Sequence, residues 1–149
     1  MRIPEPFFVI INPTVRFLLR SPVHRWFSDS LMLITLTGRK TGKRYTIPVR
    51  YLRNEGAVWA FTSVETKWWK NLIDGASVSL RIQGKDDPYR AETTANAPGE
   101  VRSALRTFLS RFPQDAPYYE IAVGSDGSLS EHDLEKAVAK TVWVRAYPQ

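Results

Sequence analysis

The chain contains no cysteine, which removes disulfide frameworks, thiolate metal sites and cysteine nucleophiles in one step and suits a reducing compartment such as the cytoplasm. Its two histidines, His24 and His132, are too few and too far apart to suggest a histidine metal cage. Long apolar runs are missing as well. The stretch near the start, Phe7 to Ile11, falls far short of the roughly 20 residues that a spanning helix requires. Asn12 and Pro13 follow it where a secretory signal would place small residues, so a cleaved leader is not expected. There is no internal repeat and no low-complexity linker. No G-x-G-x-x-G occurs, and no Gly-Lys-Ser/Thr opens a helix, so neither a Rossmann dinucleotide site nor a Walker phosphate loop has local support.

What remains is an ordinary globular composition, with 43% hydrophobic and 24% charged residues in 149, which predicts one domain over 1–149. The formal net charge of +6 is local. Between Gly38 and Arg53 stand Arg39, Lys40, Lys43, Arg44, Arg50 and Arg53 with no acid among them, and outside that segment bases and acids balance. Cations confined to a Gly-containing turn can cradle an anion, because field lines focus there and turn N–H groups add donors. A solvated basic hairpin is the plainer alternative.

Residues 1–27 mix aromatics with cations and are broken by Pro13 and Pro22. They read as a short amphipathic helical segment that packs over the core or a second subunit, or docks on an anionic membrane surface. LMLITLT, residues 31–37, predicts a strand that stops at Gly38; 45–53 and 57–62 predict two more, arriving as a meander. In the second, Tyr45, Ile47, Val49 and Tyr51 share one face. Pro48 cannot donate to a ladder, so this strand belongs at an edge or carries a bulge. Ser63 is placed as the cap of a short helix to Leu72, and Val78, Leu80 and Ile82 alternate as a strand. Lys85 to Pro88 is expected to turn into a fifth strand, 89–94. Pro98 opens a helix with Val101, Leu105, Phe108, Leu109 and Phe112 on one face. The chain then reads as irregular to Ser130, which with Asp133 caps a further helix, and 141–147 closes as a strand. Short antiparallel strands with helices between and after them predict a mainly β, α+β fold: a small barrel with flanking helices.

Gly38-Arg39-Lys40-Thr41-Gly42 is the sharpest local feature. Together with the strand after it, and with WWKNLIDGASVSLRIQGK, it resembles the deazaflavin-dependent nitroreductase family, whose members are split β-barrels related to flavin-binding reductases. The resemblance covers roughly residues 31–94. It implies that Arg39, Lys40, Thr41, Gly42 and Lys43 bind the phosphate-bearing tail of coenzyme F-420, with Pro48 and Val49 beside the ring system. Thr62, Ser63 and Val64 would approach the ring from the third strand's end, and Lys67, Trp68 and Trp69 would wall the site. Core packing accounts equally well for at least one of the tryptophans, and Asn71 reads as a brace for backbone.

The implied activity is hydride transfer to an electron-poor small molecule such as a quinone, nitroaromatic or activated alkene, with Tyr118 hydrogen-bonding or protonating the acceptor. Two departures from the family pattern stand out. Lys43-Arg44-Tyr45 replaces x-P-R after the turn, which redistributes the anion contacts and keeps FMN open as the cofactor. Ser63-Val64-Glu65-Thr66 carries no glycine ahead of the tryptophans. The alternatives are an FMN, haem or lipid carrier on the same barrel, or a basic module binding membrane or nucleic acid. Cations clustered in one turn, rather than along a groove, argue against nucleic acid. Split barrels of this kind pair, so a homodimer is expected from the resemblance.

Overall fold

The computed structural model describes residues 31–149. The amphipathic segment expected over 1–27 lies outside the described residues. The strands are β1 (Leu31–Thr37), β2 (Arg44–Arg50), β3 (Leu52–Asn54), β4 (Ala57–Ser63), β5 (Ala76–Ile82), β6 (Lys85–Thr94) and β7 (Thr141–Pro148). A 3-10 turn, Trp68–Leu72, joins β4 to β5, and helix α1 (Pro98–Arg111), a second 3-10 turn (Pro113–Tyr119) and helix α2 (Glu131–Val138) lie between β6 and β7. Every pairing is antiparallel, in the order β2-β1-β5-β6-β7-β4-β3.

That order forces a barrel. β2 and β3 stand at opposite ends of the sheet, yet only Tyr51 separates them. One residue spans about 3.3 Å, so the two ends of the sheet must meet. β2 touches β4 across this junction without pairing to it. The expected strand over 45–53 is therefore two strands with a corner at the buried Tyr51, where the chain leaves β1 and joins β4. The expected meander fails for the same reason. Pro48 does lie on an edge strand, as its missing N–H requires.

Alternation fills two layers. Met32, Ile34 and Leu36 from β1, Ile47 and Val49 from β2, Val78, Leu80 and Ile82 from β5, and Val142, Val144 and Ala146 from β7 point into the barrel. Trp68 and Leu72 on the first 3-10 turn join this interior. On the outer face Phe61 and Trp143 pack with Val101, Leu105 and Phe108 of α1 and Leu134 of α2. Arg102 and Arg106 of α1 do more than face solvent: they pair with Glu135 and Glu131 of α2.

Three local expectations shift. Ser63 ends β4 instead of capping a helix: its hydroxyl accepts from Glu65 N–H at 3.1 Å, which closes a tight turn, and helix begins only at Trp68. The β5–β6 hairpin turns at Gln83-Gly84, both at positive φ, so Lys85 to Pro88 are strand. Pro88 is tolerated because pairing of β6 with β7 starts one residue later, at Tyr89. Within the stretch expected to be irregular, 113–119 wind into the second 3-10 turn. Ser130 caps α2 as its spacing predicted, accepting from Asp133 N–H at 3.2 Å. No helix among the described residues is long and apolar enough to cross a membrane.

Candidate functional site

The basic turn is built by its glycines. Gly42 holds φ at +73°, a conformation that side chains disfavour. A Cβ on Gly38 would stand 3.0 Å from the Tyr45 ring and 3.1 Å from the Thr41 hydroxyl. Gly38 N–H donates to the Lys43 carbonyl at 2.7 Å, and Gly42 N–H returns to the Gly38 carbonyl at 3.0 Å. Among the described residues the N–H groups of Lys40 and Thr41 meet no acceptor. The turn therefore offers exposed cations and two backbone donors at one end of the barrel.

Asn71 connects this turn to the tryptophan segment. Its side-chain oxygen accepts from Arg39 N–H at 2.8 Å, while its Nδ2 donates to the Trp68 carbonyl at 3.0 Å. A residue 32 positions away thus clamps the start of the basic turn and carries Lys67 and Lys70 to the same end of the barrel. Asn71→Ala is expected to leave the barrel folded and to weaken anion binding at the turn by about tenfold, the equivalent of one or two hydrogen bonds. Titration with a deazaflavin at low salt measures it, and an unchanged affinity would show that the clamp does not shape the turn.

The second half of the site lies along the junction of β2 and β4. β3 covers β4 for only three residues, Ala57 to Trp59. Beyond them this edge of β4 has no strand partner through Ser63 among the described residues, and continuing the register brings Thr62 and Ser63 to about the level of Val49 and Pro48. This seam is the split in the barrel. The Val49 side chain points into the barrel core and Pro48 is half-buried on the other face of β2. Thr62 and Ser63 are buried. The Thr66 hydroxyl donates to the Ser63 carbonyl at 2.8 Å, so in the 2.9 Å pair of Thr62 and Thr66 hydroxyls Thr62 is the donor. What these residues present across the seam is backbone. Val64 N–H is taken by the Lys140 carbonyl at 2.9 Å, which ties the turn after β4 to the start of β7.

Trp68 is a core residue, and Trp69 packs against the edge of the same cluster. Among the described residues the indole Nε1 of each is buried without a hydrogen-bond partner, as is that of Trp143 in the outer layer, so these donors mark the packed interior and do not open toward a ligand. Exposed cations, two backbone donors and a partly unpaired strand edge together fit a flat heterocycle with an anionic tail.

Arg50 does not serve the anion cradle, although it belongs to the basic segment. Its Nε pairs with Asp115 at 2.5 Å and its guanidinium lies 5.1 Å from the Phe112 ring centroid. This places the turn that carries Tyr118 at the other end of β2, roughly 20 Å of strand from Arg44. Tyr118 is 42% exposed and stacks edge-on against Tyr119 at 5.2 Å. Burial of its covered part, and then the Asp115 charge, push its phenol up to about 12. Tyr119 is buried against Phe108 and its phenol is raised further, mainly by burial. Asp115 carried no sequence signal, since its partner lies 65 positions away.

Comparison with known proteins bears on this site. Residues 15–126 match the family described as F420H(2)-dependent quinone reductase. No curated protein matches the chain. Among solved structures it is similar to a FAD-binding protein of Mesorhizobium loti, with a TM-score of 0.52 and 15% identity over 87% of this chain and 90% of that one. It is similar to a protein described as a domain-swapped dimer, at 0.51 and 18%, covering 90% and 99%. It is also similar to an F420 reductase, at 0.50 and 13%, covering 90% and 92%. These likenesses establish the fold: a seven-stranded antiparallel split barrel of the flavin-reductase type with flanking helices.

Proposed function

The chain belongs to the F420H(2)-dependent quinone reductase family, and from that membership we propose that it is a deazaflavin-dependent reductase whose basic turn and β2–β4 seam hold the cofactor while Tyr118 serves a quinone-class acceptor. The observation that carries this reading is the Asn71 clamp, which brings the basic turn and the tryptophan segment to one end of the barrel. Arg39, Lys40 and Lys43, with the N–H groups of Lys40 and Thr41, would take the anionic tail, and Gly42 lets the backbone approach it. Pro48, Val49, Thr62, Ser63 and Val64 would line the ring through backbone. Lys67, Trp68 and Trp69 would close the side.

Held by these residues, a reduced deazaflavin would supply a hydride, and the acceptor would take a proton from the protein or from water to complete its two-electron reduction. Tyr118 would donate a hydrogen bond to the acceptor oxygen on which negative charge develops. With its phenol pushed up to about 12, it keeps its proton throughout the neutral range. FMN is the alternative occupant of the same seam. Homodimeric pairing, as split barrels of this kind show, and a contact of residues 1–27 with an anionic membrane surface belong to the same reading, the latter because aromatic, aliphatic and cationic residues are mixed there.

The test is titration of the purified chain with F420 and with FMN, followed by turnover with a quinone. Deazaflavin binding that weakens with salt and supports quinone reduction is expected. FMN binding with no deazaflavin binding would overturn the assignment. Tyr118→Phe is expected to lower kcat/KM for the quinone by about tenfold or more, with cofactor affinity unchanged and no ionisation of this group shaping the pH profile near neutrality. Full activity in that variant removes Tyr118 from the site.

A further inference from the structure

The ion pair at the far end of β2 does more than join two surface elements. Asp115 and Arg50 side chains are only 17% and 29% exposed, and the guanidinium also lies over Phe112. The second 3-10 turn is short and contains Pro113 and Pro117, which contribute no backbone N–H. Side-chain ties therefore decide where it sits. In a 3-10 helix residues i and i+3 eclipse, so Tyr118 lies on the same side of the turn as Asp115, the side that faces Arg50. Tyr119 supports the Tyr118 ring from the core side. Pro48 shares a face of β2 with Arg50, two residues or about 7 Å along the strand.

We propose that the Arg50–Asp115 pair is a positioning device for the acceptor side of the site: it holds Tyr118 at the Arg50 end of β2, where the β2–β4 seam begins, and so sets how tightly a quinone-class acceptor binds. The pair stands at the opposite end of β2 from the basic turn and leaves the anionic tail of the cofactor alone. This rests on the assignment of Tyr118 to the acceptor.

The experiment uses the full chain with Asp115→Asn, Arg50→Gln, the exchanged pair Arg50→Asp with Asp115→Arg, and each change again in a Tyr118→Phe background. Deazaflavin affinity is measured by titration, KM and kcat with menadione, and the phenol by its phenolate absorbance in the chain without cofactor, as a difference against Tyr118→Phe. Among the described residues the charged and titratable groups about that phenol are Asp115 and Tyr119 on its own turn and Arg50 from β2.

Either single change is expected to raise KM for menadione about tenfold, the size of a typical coupling between contacting groups, with deazaflavin affinity held within about twofold. The exchanged pair should recover most of that loss. In the Tyr118→Phe background the single changes should have no further effect on KM. Asp115→Asn should also lower the pH at which the Tyr118 phenolate appears, because a negative neighbour is removed. Unchanged KM in folded single variants, or an equal loss when Tyr118 is already phenylalanine, overturns the proposal and leaves the pair a stability element. If a single change prevents folding, Arg50→Lys, which keeps the charge but loses the planar fork, is expected to give an intermediate KM, and a wild-type KM there overturns it. A wild-type chain that binds no deazaflavin defeats the functional reading instead, and the phenolate titration still reports whether the pair holds Tyr118.

Discussion

Replacing Arg39, Lys40 and Lys43 with alanine together is expected to weaken deazaflavin binding by about 100-fold at low ionic strength, at roughly fivefold per exposed cation. All three side chains are exposed, so the midpoint of thermal unfolding should hardly move. Salt supplies an internal control. Screening acts on the cations that are removed, so wild-type affinity should fall with added salt toward that of the variant, while the variant itself responds weakly. Titrations at two ionic strengths measure both effects. If the triple variant binds as tightly as wild type, the turn is a solvated hairpin and the cofactor tail lies elsewhere. A variant that loses binding only because it unfolds would show itself in the thermal midpoint.

Phe108→Ala is expected to cost about 3–5 kcal/mol of stability. Its side chain is 1% exposed and joins Phe61 at 4.9 Å, Phe112 at 5.1 Å and Tyr119 at 6.5 Å between centroids. It thus links the outer face of β4 to the turn that carries Tyr118. The cavity left behind could relax only by moving α1 or that turn, and neither is loose. Urea unfolding measures the loss. Below the unfolding transition the same variant should raise KM for the acceptor more than it weakens cofactor binding, because the barrel interior that supports the basic turn belongs to a separate cluster. Wild-type stability in Phe108→Ala would mean that the helical layer is not packed as described.

Sequence alone carried a good part of this. The alternation of β1, β5 and β7, the one-sided pattern of α1, the cap at Ser130 and the two-glycine basic turn are local signals, each written in residues within a turn or two of one another. The resemblance of residues 31–94 to a deazaflavin-binding family pointed to the fold, which the similar solved structures support, and to the cofactor, which the family match supports. Errors fell at boundaries with no local mark. Gln83-Gly84 supplies a two-residue hairpin, yet Asp86, Asp87 and Pro88 just after it look more like a turn by composition. Ser63 is an equally good helix cap and strand end, and the hydroxyl network with Glu65 and Thr66 decided between them.

Three features belong to the tertiary structure alone. The barrel closes at Tyr51, Asn71 grips Arg39, and Arg50 leaves the basic segment to meet Asp115. In each case the deciding partner lies far along the chain or across the sheet, and its identity depends on which surfaces come to face each other once the interior is filled. Periodicity tells a residue which way to point relative to its own strand or helix. Only close packing of the finished barrel, where each void must be filled, selects the residue on the other side.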